Sequence, residues 1–301
     1  MRASRGCHLV IFGAGYVGGE VARQALARGW RVTALTRNPE KARALADAGA
    51  TVIIDDLAAD NWHAHPALRG GADYVLNCVS SGGGGPEAYQ RSYVEGMKSV
   101  LAWASRVPVG TLVYTSSTSV YPQDGGVRVT EDDSVAETRA AGNALVEAED
   151  LLLGWAGSEG GRTRRFVLRL AGIYGPGRHY LVDQLRTGSG EVAGRGDHRL
   201  NLIHRDDIAE VIRLAFESAP TEVAGGVFNV ADDGAAPKAE LVEFLAGKLG
   251  VPLPRFTDAP AQGRRRVTPD RVIANDKVKR ELGWRPRYPS YRDGYAAILG
   301  A

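Results

Sequence analysis

The segment Cys7-His-Leu-Val-Ile-Phe-Gly-Ala-Gly-Tyr-Val-Gly18 carries the clearest structural pattern in this chain of 301 residues. Its apolar first half is typical of a buried parallel strand, and it runs directly into three spaced glycines. A strand followed by Gly-x-Gly-x-x-Gly and a helix is the arrangement that binds dinucleotides. Gly13 permits the tight turn, Gly15 lets the backbone approach a pyrophosphate, and Gly18 lets the helix pack closely on the strand. We therefore predict a dinucleotide-binding loop at Gly13 to Gly18.

Strand and helix patterns alternate outward from this loop through the first two thirds of the chain. A helix that ends at Gly29 follows the loop, and a second strand covers Arg31 to Leu35. The later segments keep this order, with strands at Thr51 to Ile54, Asp73 to Val79, Thr111 to Thr115 and Arg165 to Leu170, and helices at Pro39 to Ala48, Pro86 to Ala104 and Ala140 to Leu153. The order predicts an α/β fold with a doubly wound parallel sheet, the Rossmann architecture.

The rhythm of the sequence changes after Gly172, where glycine-rich loops separate shorter elements. Helical patterns at Asp206 to Ser218 and Pro237 to Leu249 flank a strand pattern at Val227 to Val230. We expect residues 1–172, with 205–230 returning to them, to form the Rossmann domain. Residues 173–204 and 231–301 are then expected to form a smaller C-terminal substrate lobe, with a cleft between the two units.

Composition and charge narrow the class of protein. Two cysteines, Cys7 and Cys78, lie in apparent strands, which excludes a disulfide framework and favours a reducing, cytoplasmic compartment. The net charge is +2 and the only tight basic run, Arg264 to Arg266, fits a solvated loop, so no nucleic-acid partner is expected. No apolar run approaches the roughly 18 residues that span a membrane. We expect a soluble monomer or homodimer whose partner is a small-molecule substrate.

The end of the second strand bears on the choice of cofactor. NAD sites place Asp or Glu there to hold the ribose 2′-hydroxyl, about 20 residues beyond the glycines. This chain has Thr36-Arg37-Asn38 and no acid. An arginine can hold a 2′-phosphate through two parallel hydrogen bonds. The pattern favours NADP(H) over NAD(H); the alternative is that Arg37 is only a surface residue.

Several further motifs are found at the ends of the predicted strands. They are Asp55-Asp56-Leu57 after the third strand, Asn77-Cys-Val-Ser80 after the fourth, Leu112-Val-Tyr-Thr-Ser-Ser-Thr-Ser-Val-Tyr-Pro122, Leu168-Arg-Leu-Ala-Gly-Ile-Tyr-Gly-Pro-Gly177, Ile203-His-Arg-Asp-Asp-Ile208 and Phe228-Asn-Val230. Together with the glycine loop, they resemble the extended short-chain dehydrogenase/reductase family, which includes nucleotide-sugar epimerases and dehydratases. The resemblance covers nearly the whole chain and implies the Rossmann fold and a nicotinamide cofactor.

The resemblance also implies which residues meet the cofactor. These are Gly13, Gly15, Tyr16, Val17 and Gly18 in the loop, Thr36 and Arg37 after the second strand, Asp56 and Leu57 after the third, Cys78, Val79 and Ser80 after the fourth, and Thr115 and Asn143 near the predicted reaction centre. Ser117 takes the place of the catalytic serine of the family.

The chain departs from the family at its acid/base pair. The family uses Tyr-x-x-x-Lys, in which the lysine lowers the pKa of the tyrosine so that the phenol can exchange a proton. Here Arg139 and Asn143 stand at those positions, and a shift of two residues gives Ala141 and Leu145. No Tyr or Lys lies between Pro122 and Gly172. Guanidinium stays protonated and an amide has no useful pKa, so this pair is not expected to act as acid and base.

A second departure is Tyr93, which stands where the family often has an Asn that relays protons. The two departures make the chain resemble an atypical subgroup, usually described only as NAD(P)-dependent epimerase/dehydratase. Another proton carrier is therefore needed if the protein is an enzyme.

Candidate residues for the missing chemistry lie in the motifs around the predicted cleft. Ser117, Tyr121 and Tyr174 are the catalytic candidates, although each residue type is also common in strand ends and loop packing. Arg178, His179 and Arg195 are candidates for substrate binding, with solvated loop positions as the alternative. His204 beside Asp206 and Asp207 has no third ligand at suitable spacing, so we predict no metal site and a helix start there.

Two functions remain open from the sequence. The first is an NAD(P)-dependent oxidoreductase or epimerase/dehydratase-like enzyme that acts on a hydroxyl or carbonyl compound, for example a sugar derivative. The second is a non-catalytic, redox-responsive regulatory protein that binds NADP(H) and has lost the proton relay. Ser117 and the Tyr174-Gly-Pro-Gly-Arg178 segment favour the enzyme, and the missing Tyr and Lys favour the regulator.

Overall fold

A seven-stranded parallel sheet forms the centre of the computed structural model. The structure describes residues 6–82, 84–136, 140–158, 163–219, 221–257 and 269–300. In chain order the strands of the sheet are β1 (His8–Phe12), β2 (Arg31–Thr36), β3 (Thr51–Ile54), β4 (Ala72–Asn77), β5 (Val109–Ser117), β6 (Arg164–Leu170) and β7 (Gly225–Val230). Their spatial order is β7-β6-β5-β4-β1-β2-β3. The predicted doubly wound α/β fold is confirmed.

The strand before the glycine loop lies at the centre of this sheet, as its burial and register show. All five residues of β1 are buried, as expected of a central strand covered on both faces. Leu9 of β1 pairs with Val32 of β2 on one side and with Tyr74 of β4 on the other. Strand order therefore reverses beside β1, and the carboxyl ends of β1 and β4 diverge there to leave a crevice for a ligand.

Helices cover both faces of the sheet. Those before the last third of the chain are α1 (Tyr16–Ala27), α2 (Pro39–Asp47), α3 (Gly85–Tyr89), α4 (Gly96–Ala104) and α5 (Ala140–Gly154). A π-helical turn, Gln90–Glu95, joins α3 to α4, so the predicted helix from Pro86 to Ala104 is one continuous path with a wider turn in its middle. Asn38 caps α2 by accepting a hydrogen bond from the Lys41 N–H, and Pro39 occupies its first turn.

The C-terminal part of the chain combines five helices with short paired strands. The helices are α6 (Tyr180–Arg186), α7 (Arg205–Glu217), α8 (Lys238–Leu249), α9 (Asp276–Leu282) and α10 (Tyr291–Leu299). The short pairs are Gly172–Tyr174 with Leu202–His204, Glu191–Ala193 with Arg255–Thr257, Arg199–Leu200 with Ala236–Pro237, and Val127–Val129 with Arg271–Ile273. The last pair ties the C-terminal part of the chain to the loop after β5.

Two hydrophobic clusters accompany the predicted division into a Rossmann domain and a lobe. The large cluster surrounds the sheet, and the small one gathers Tyr174, Leu181, Val182, Leu185, Val192, Ala236, Leu241, Val242, Leu245, Tyr291 and Tyr295. Val278, Leu282 and Trp284 instead join the large cluster, because α9 packs against β7. The division stays a proposal, and this packing places the α9 region with the sheet rather than with the lobe.

Within the described ranges, none of the helices combines the length and the apolar character needed to cross a membrane. Over the same ranges, no group of three or more His, Cys, Asp or Glu side chains is arranged to hold a metal ion. Asp206 and Asp207 lie in the first turn of α7, which the His204 side chain caps by accepting from the Asp206 N–H.

Candidate active site

A cavity of about 500 Å³ opens at the carboxyl ends of β1, β2 and β4. This is the edge of a parallel sheet where ligands bind, at the point where strand order reverses. Nine of the predicted cofactor residues line it: Gly13, Gly15, Thr36, Arg37, Asp56, Leu57, Cys78, Val79 and Ser80. Burial raises the pKa of the Cys78 thiol to about 12, so this cysteine is a packing residue and not a nucleophile.

The three glycines of the loop have different surroundings. Gly13 has φ +92°, and a Cβ there would lie 2.6 Å from the Val79 nitrogen. A Cβ on Gly18 would lie 2.4 Å from the Gly13 carbonyl oxygen. At Gly15 the nearest protein atom to such a Cβ is 4.0 Å away, because this glycine faces the open cavity. Gly15 is also the N-cap of α1, whose positive dipole end favours phosphate. The loop thus fits a dinucleotide pyrophosphate.

Basic and polar groups surround the far end of this cavity at the start of α2. Arg37, Asn38 and Lys41 all contribute to the lining. The Arg37 guanidinium is half-exposed and lies 3.9 Å from Asp56, which also receives two hydrogen bonds from Arg91 at 3.1 Å. Burial would raise the pKa of Asp56, but the Ala58 N–H, Arg91 and Arg37 outweigh it and lower that pKa. The carboxylate therefore stays ionised and holds the two arginines at the cavity.

Sequence reasoning and structure differ in part over this cavity. In the part of the chain that the structure describes, five of the predicted cofactor residues do not line this cavity, namely Tyr16, Val17, Gly18, Thr115 and Asn143. Arg139 lies outside the described residues. The lining adds residues that the sequence analysis missed, namely Ala14, Leu35, Asn38, Pro39, Lys41, Gly82 and Ser92. Asn38-Pro39, directly after β2, is a recognisable helix-start pattern. It could have indicated that Lys41 lies in the first turn of α2, near the end of β2.

A second cavity, of about 690 Å³, lies at the carboxyl ends of β5 and β6 and is lined on its other side by residues of the proposed lobe. Because β4 and β5 are neighbouring parallel strands, the two cavities adjoin at the same edge of the sheet. Ser117, Tyr174 and Arg178 line the second cavity, as do Tyr89, Thr118, Ser119, Ala171, Gly172, Ile173, Tyr180, Leu181, Arg199, Leu200, Asn201, Leu202, Leu241, Pro269, Arg271 and Tyr295. We call this cavity the substrate cleft.

Ser117 ends β5 at the floor of the substrate cleft, and its side chain is half-buried. Its Oγ accepts a hydrogen bond of 3.1 Å from the Ser119 N–H, which fixes the rotamer. The hydroxyl proton remains available for donation to an acceptor in the cleft. Ser117 is thus placed as the sequence analysis expects of a residue that binds a substrate oxygen.

Tyr121 does not reach the substrate cleft, so its predicted catalytic role is not supported. The residue is 2% exposed, and its hydroxyl donates to Asn229 Oδ1 and accepts from Arg169, both at 2.8 Å. Arg169 in turn makes a buried ion pair with Glu149 of α5, at 2.6 Å. Burial raises the pKa of the Tyr121 phenol, although Arg169 and Asn229 oppose the rise. Tyr121 is part of a structural network between β6, β7 and α5.

Tyr174 lines the substrate cleft with its ring, but its hydroxyl points into the lobe. The hydroxyl lies 3.4 Å from the Ser290 carbonyl oxygen, and a Cβ on Gly294 would lie 2.0 Å from it. The ring stacks on Tyr295 at 4.9 Å. Burial raises the pKa of the Tyr174 phenol far above its ordinary value. The proposed role of Tyr174 as a proton donor is therefore corrected to that of a packing residue.

The three predicted substrate-binding residues are separated by the structure. Arg178 is exposed, lines the cleft and stacks its guanidinium over the Tyr16 ring at 5.5 Å. His179 precedes α6 and lies 2.9 Å from Asp183, outside the described lining of the cleft. Arg195 pairs with Asp197 at 2.6 Å and is 68% exposed, also outside that lining. Of the three, Arg178 is the one that the cleft presents to a substrate.

Arg271 and Tyr89 are among the cleft residues that were not predicted as site residues. Arg271 lies in the cleft wall and donates hydrogen bonds to the carbonyl oxygens of Tyr121 and Thr118. Tyr89, the last residue of α3, enters the cleft from the other side and is half-buried. The sequence segment around Tyr89 was singled out only for Tyr93, and nothing local separates a cleft tyrosine from a surface one.

Comparison with known proteins gives consistent matches over most of the chain. The model of the NAD dependent epimerase/dehydratase family matches residues 9–231. Protein YeeZ of Escherichia coli is 28% identical over 285 residues, covering 93% of this chain and 96% of YeeZ. The 2-alkyl-3-oxoalkanoate reductase of Stenotrophomonas maltophilia is 30% identical over 261 residues, covering 81% of this chain and 76% of the reductase. The structure of MoeE5 in complex with UDP-glucose and NAD shares the fold, with a TM-score of 0.81 over 97% of each chain at 22% identity.

Proposed function

This chain belongs to the NAD dependent epimerase/dehydratase family, and from that premise we propose that it is an NAD(P)-dependent oxidoreductase acting on a small carbonyl or hydroxyl compound that carries an anionic group. The observation that carries the proposal is the adjacency of the two cavities at one edge of the sheet, one built for a dinucleotide and the other open beside Ser117. A bound nicotinamide would supply hydride chemistry there.

The residues of the chain divide the remaining work. The glycine loop and the N-terminus of α1 bind the pyrophosphate, because Gly15 leaves room and backbone N–H groups face it. Ser117 donates a hydrogen bond to the substrate oxygen and so orients the reacting carbon. The lobe covers the cleft and limits the access of water to it, which strengthens each of these polar interactions.

We assign NADP(H) as the preferred cofactor. Arg37 and Lys41 give the far end of the dinucleotide cavity two cations, and no acid stands at the end of β2 where a 2′-hydroxyl would be held. The Arg37 side chain is 56% exposed and lies 3.9 Å from Asp56, beyond hydrogen-bond distance, so the guanidinium is open to a phosphate. The observations support a 2′-phosphate site at Thr36, Arg37 and Lys41.

The anionic group of the substrate is inferred from the charges of the cleft. Arg178, Arg199 and Arg271 line it, and its described lining contains no Asp or Glu. Arg199 is neutralised by Asp270 at 2.9 Å, and Arg271 is engaged by carbonyl oxygens, so exposed Arg178 is the principal anion contact. The name of one relative, the 2-alkyl-3-oxoalkanoate reductase, denotes a carboxylate. It supports a carboxylate as the anion.

The test uses a matched pair of carbonyl compounds with NADPH. The enzyme is mixed with freshly prepared 2-methyl-3-oxobutanoate or with its methyl ester, and loss of nicotinamide absorbance is followed; UDP-glucose serves as a third compound. We expect turnover of the carboxylate and a much poorer kcat/KM for the ester. Arg178→Ala should raise KM for the carboxylate only. Arg195→Ala, which changes another exposed arginine outside the described lining, should leave KM unchanged.

Two outcomes would contradict the proposal. Equal turnover of the acid and the ester would show that the enzyme does not require an anionic group on its substrate. Tight NADPH binding with no turnover of the acid, the ester or UDP-glucose would favour the regulatory alternative, which the absence of Tyr and Lys from the α5 segment already motivates.

A further inference from the structure

Reduction of a carbonyl needs a proton at oxygen as well as a hydride at carbon, and the usual donor is missing from this chain. No Tyr or Lys lies between Pro122 and Gly172. Tyr121 and Tyr174 bury their hydroxyls away from the cleft. Ser117 can hold the oxygen, but an aliphatic hydroxyl is far too weak an acid to supply the proton alone. The substrate cleft must therefore contain another titratable group.

We propose that Tyr89 is this proton donor. The inference rests on the proposed oxidoreductase function and identifies a catalytic residue for it. Tyr89 lines the same cleft as Ser117 and ends α3. Helix α3 packs against α5, which is the helix that carries the Tyr-x-x-x-Lys pair in the family. The phenol thus reaches the reaction space from the neighbouring helix.

The position of Tyr89 along its helix brings it close to the cofactor. Ser92, three residues further on, lines the dinucleotide cavity, whereas Tyr89 lines the substrate cleft. This helical segment therefore runs along the boundary between the two cavities. A phenol at that boundary can contact a substrate oxygen while the substrate carbon faces the cofactor.

A second tyrosine holds Tyr89 in place. The Tyr93 ring lies 6.1 Å from the Tyr89 ring, and the two planes are 6° apart. The Tyr93 hydroxyl accepts a hydrogen bond of 3.4 Å from the Ser81 N–H in the loop after β4. Tyr93 lies in the π-helical turn Gln90–Glu95, which begins directly after Tyr89, and such turns are frequent at functional sites. Tyr93, which replaces the family asparagine, is thus a positioning residue.

The other tyrosines of the cleft are less suited to the role. Tyr174 and Tyr295 are buried and stacked on each other, and burial raises the pKa of both phenols. Tyr180 is 43% exposed and begins α6 in the lobe, on the side of the cleft away from the sheet. Tyr89 combines a place on the sheet side with partial access to solvent, from which it can be reprotonated.

The reduction adds a hydride at the substrate carbon and a proton at its oxygen. A bound reduced nicotinamide would supply the hydride for the new C–H bond, and the π electrons of the carbonyl would move to its oxygen. The Tyr89 O–H bond breaks as that oxygen gains the proton and becomes a hydroxyl. Tyr89 then recovers a proton from water at the open side of the cleft.

The experiment compares Tyr89→Phe with two other changes that remove a phenol and keep the ring. Tyr288→Phe is the control, because Tyr288 is half-buried and lies outside the described lining of both cavities, and Tyr180→Phe tests the rival phenol of the cleft. The first readout is binding of 2-methyl-3-oxobutanoate to the cofactor-free protein by calorimetry. Loss of one neutral hydrogen bond should weaken binding roughly fivefold in Tyr89→Phe, and binding should be unchanged in Tyr288→Phe. The second is reduction with NADPH, where kcat should fall roughly 10²–10⁴-fold in Tyr89→Phe and stay at the wild-type value in Tyr288→Phe.

The outcomes separate this proposal from the function on which it rests. Equal affinity and equal kcat in wild type and Tyr89→Phe would overturn the assignment, and a loss confined to Tyr180→Phe would transfer it to Tyr180. If the wild type reduces nothing, the oxidoreductase proposal fails, and unchanged calorimetric affinity in Tyr89→Phe would then overturn the Tyr89 contact as well. Circular dichroism checks that each variant folds.

Discussion

At the scale of single residues, Gly15 is the position where cofactor binding can be removed without damage to the fold. Its φ of −87° lies outside the left-handed region that favours glycine, and a Cβ there would meet no protein atom closer than 4.0 Å. A valine side chain would instead fill the space of the pyrophosphate. We expect Gly15→Val to abolish binding of NADPH and NADH, measured by calorimetry, while the melting temperature changes little.

The neighbouring glycines provide the controls for this prediction. Gly18→Ala should destabilise the protein itself, because the added Cβ would lie 2.4 Å from the Gly13 carbonyl oxygen. Gly19→Ala should affect neither property, since its Cβ would have 4.0 Å of clearance and the residue is outside the described cavity lining. Retained binding in Gly15→Val would mean that the loop is only a structural turn.

Arg37 carries the predicted preference for NADP(H). A charge-assisted hydrogen bond contributes about 1.5–3 kcal/mol, so Arg37→Ala should weaken NADPH binding roughly tenfold or more and leave NADH binding nearly unchanged. Arg43→Ala is the matched control, because Arg43 is an exposed arginine of α2 outside the described cavity lining. Calorimetric titration of NADPH and NADH into the wild type, Arg37→Ala and Arg43→Ala measures these affinities. Equal affinity of the wild type for NADPH and NADH would contradict the argument.

At the scale of elements, periodicity and turn residues were sufficient to predict the sheet. The predicted strand Asp73 to Val79 is observed as Ala72–Asn77, and Thr111 to Thr115 lies inside β5. Local pattern could not predict Tyr121, because its hydrogen-bond partner Asn229 is 108 residues away in the sequence. The same holds for Tyr89, whose place in the cleft depends on how α3 packs on α5. Residues at strand ends were predictable; those brought in by tertiary packing were not.

The buried pair between α5 and β6 is an element-scale prediction. Glu149 is 2% and Arg169 5% exposed, and Ser116 also donates to this carboxylate at 2.5 Å. Removing one partner leaves the other charge buried and unpaired, which costs about 3–5 kcal/mol. Glu149→Ala should lower the free energy of unfolding by that amount, measured by urea denaturation.

The control for this change lies on the same helix. Glu147 is exposed, and Glu147→Ala should stay within about 0.5 kcal/mol of the wild type. A loss of similar size in both variants would mean that the effect belongs to α5 helicity and not to the buried ion pair. Since Ser116 adjoins Ser117, substrate affinity should also fall in Glu149→Ala at temperatures where the variant is folded.

At the scale of the whole molecule, buried aspartates hold the chain where it leaves β7 and where α7 meets the segment before α10. Asp232 follows β7, and its N–H donates to the Leu202 carbonyl oxygen at 2.7 Å, a hydrogen bond within the proposed lobe. Asp207 of α7 accepts from the N–H groups of Arg287 and Tyr288, at 2.6 and 3.1 Å, and so anchors the segment before α10. Both carboxylates are almost fully buried. The junction therefore places titratable groups where a change in their charge affects how well the lobe is held.

Asp232 gives the molecule a predictable dependence of stability on pH. Its Oδ2 has no hydrogen-bond partner among the described residues, and burial, reinforced by Asp233, Asp207 and Asp293, raises its pKa to about 7. Because the pKa is higher in the folded state than in the unfolded chain, the folded state binds more protons between about pH 4 and 7. The contribution of Asp232 to stability therefore falls as pH rises through this range. His204 acts in the opposite sense, since burial lowers its pKa to about 4.

Comparison of Asp232→Asn with the wild type isolates the aspartate from the other titrating groups. The amide keeps the shape and can still accept from the Gly234 N–H, which lies 3.0 Å from Oδ1. At pH 8 the variant should be more stable than the wild type, on the order of 4 kcal/mol, because it no longer carries an ionised buried carboxylate. The difference should shrink as pH falls through about 7 and vanish near pH 4. Thermal unfolding from pH 4 to 8 measures it, with Asp47→Asn, an exposed aspartate at the end of α2, as the control expected to change stability by about 0.5 kcal/mol or less. A gap between Asp232→Asn and wild type that stays constant across this range would show that Asp232 is ionised throughout, and that water or a partner group stabilises its charge in the folded protein.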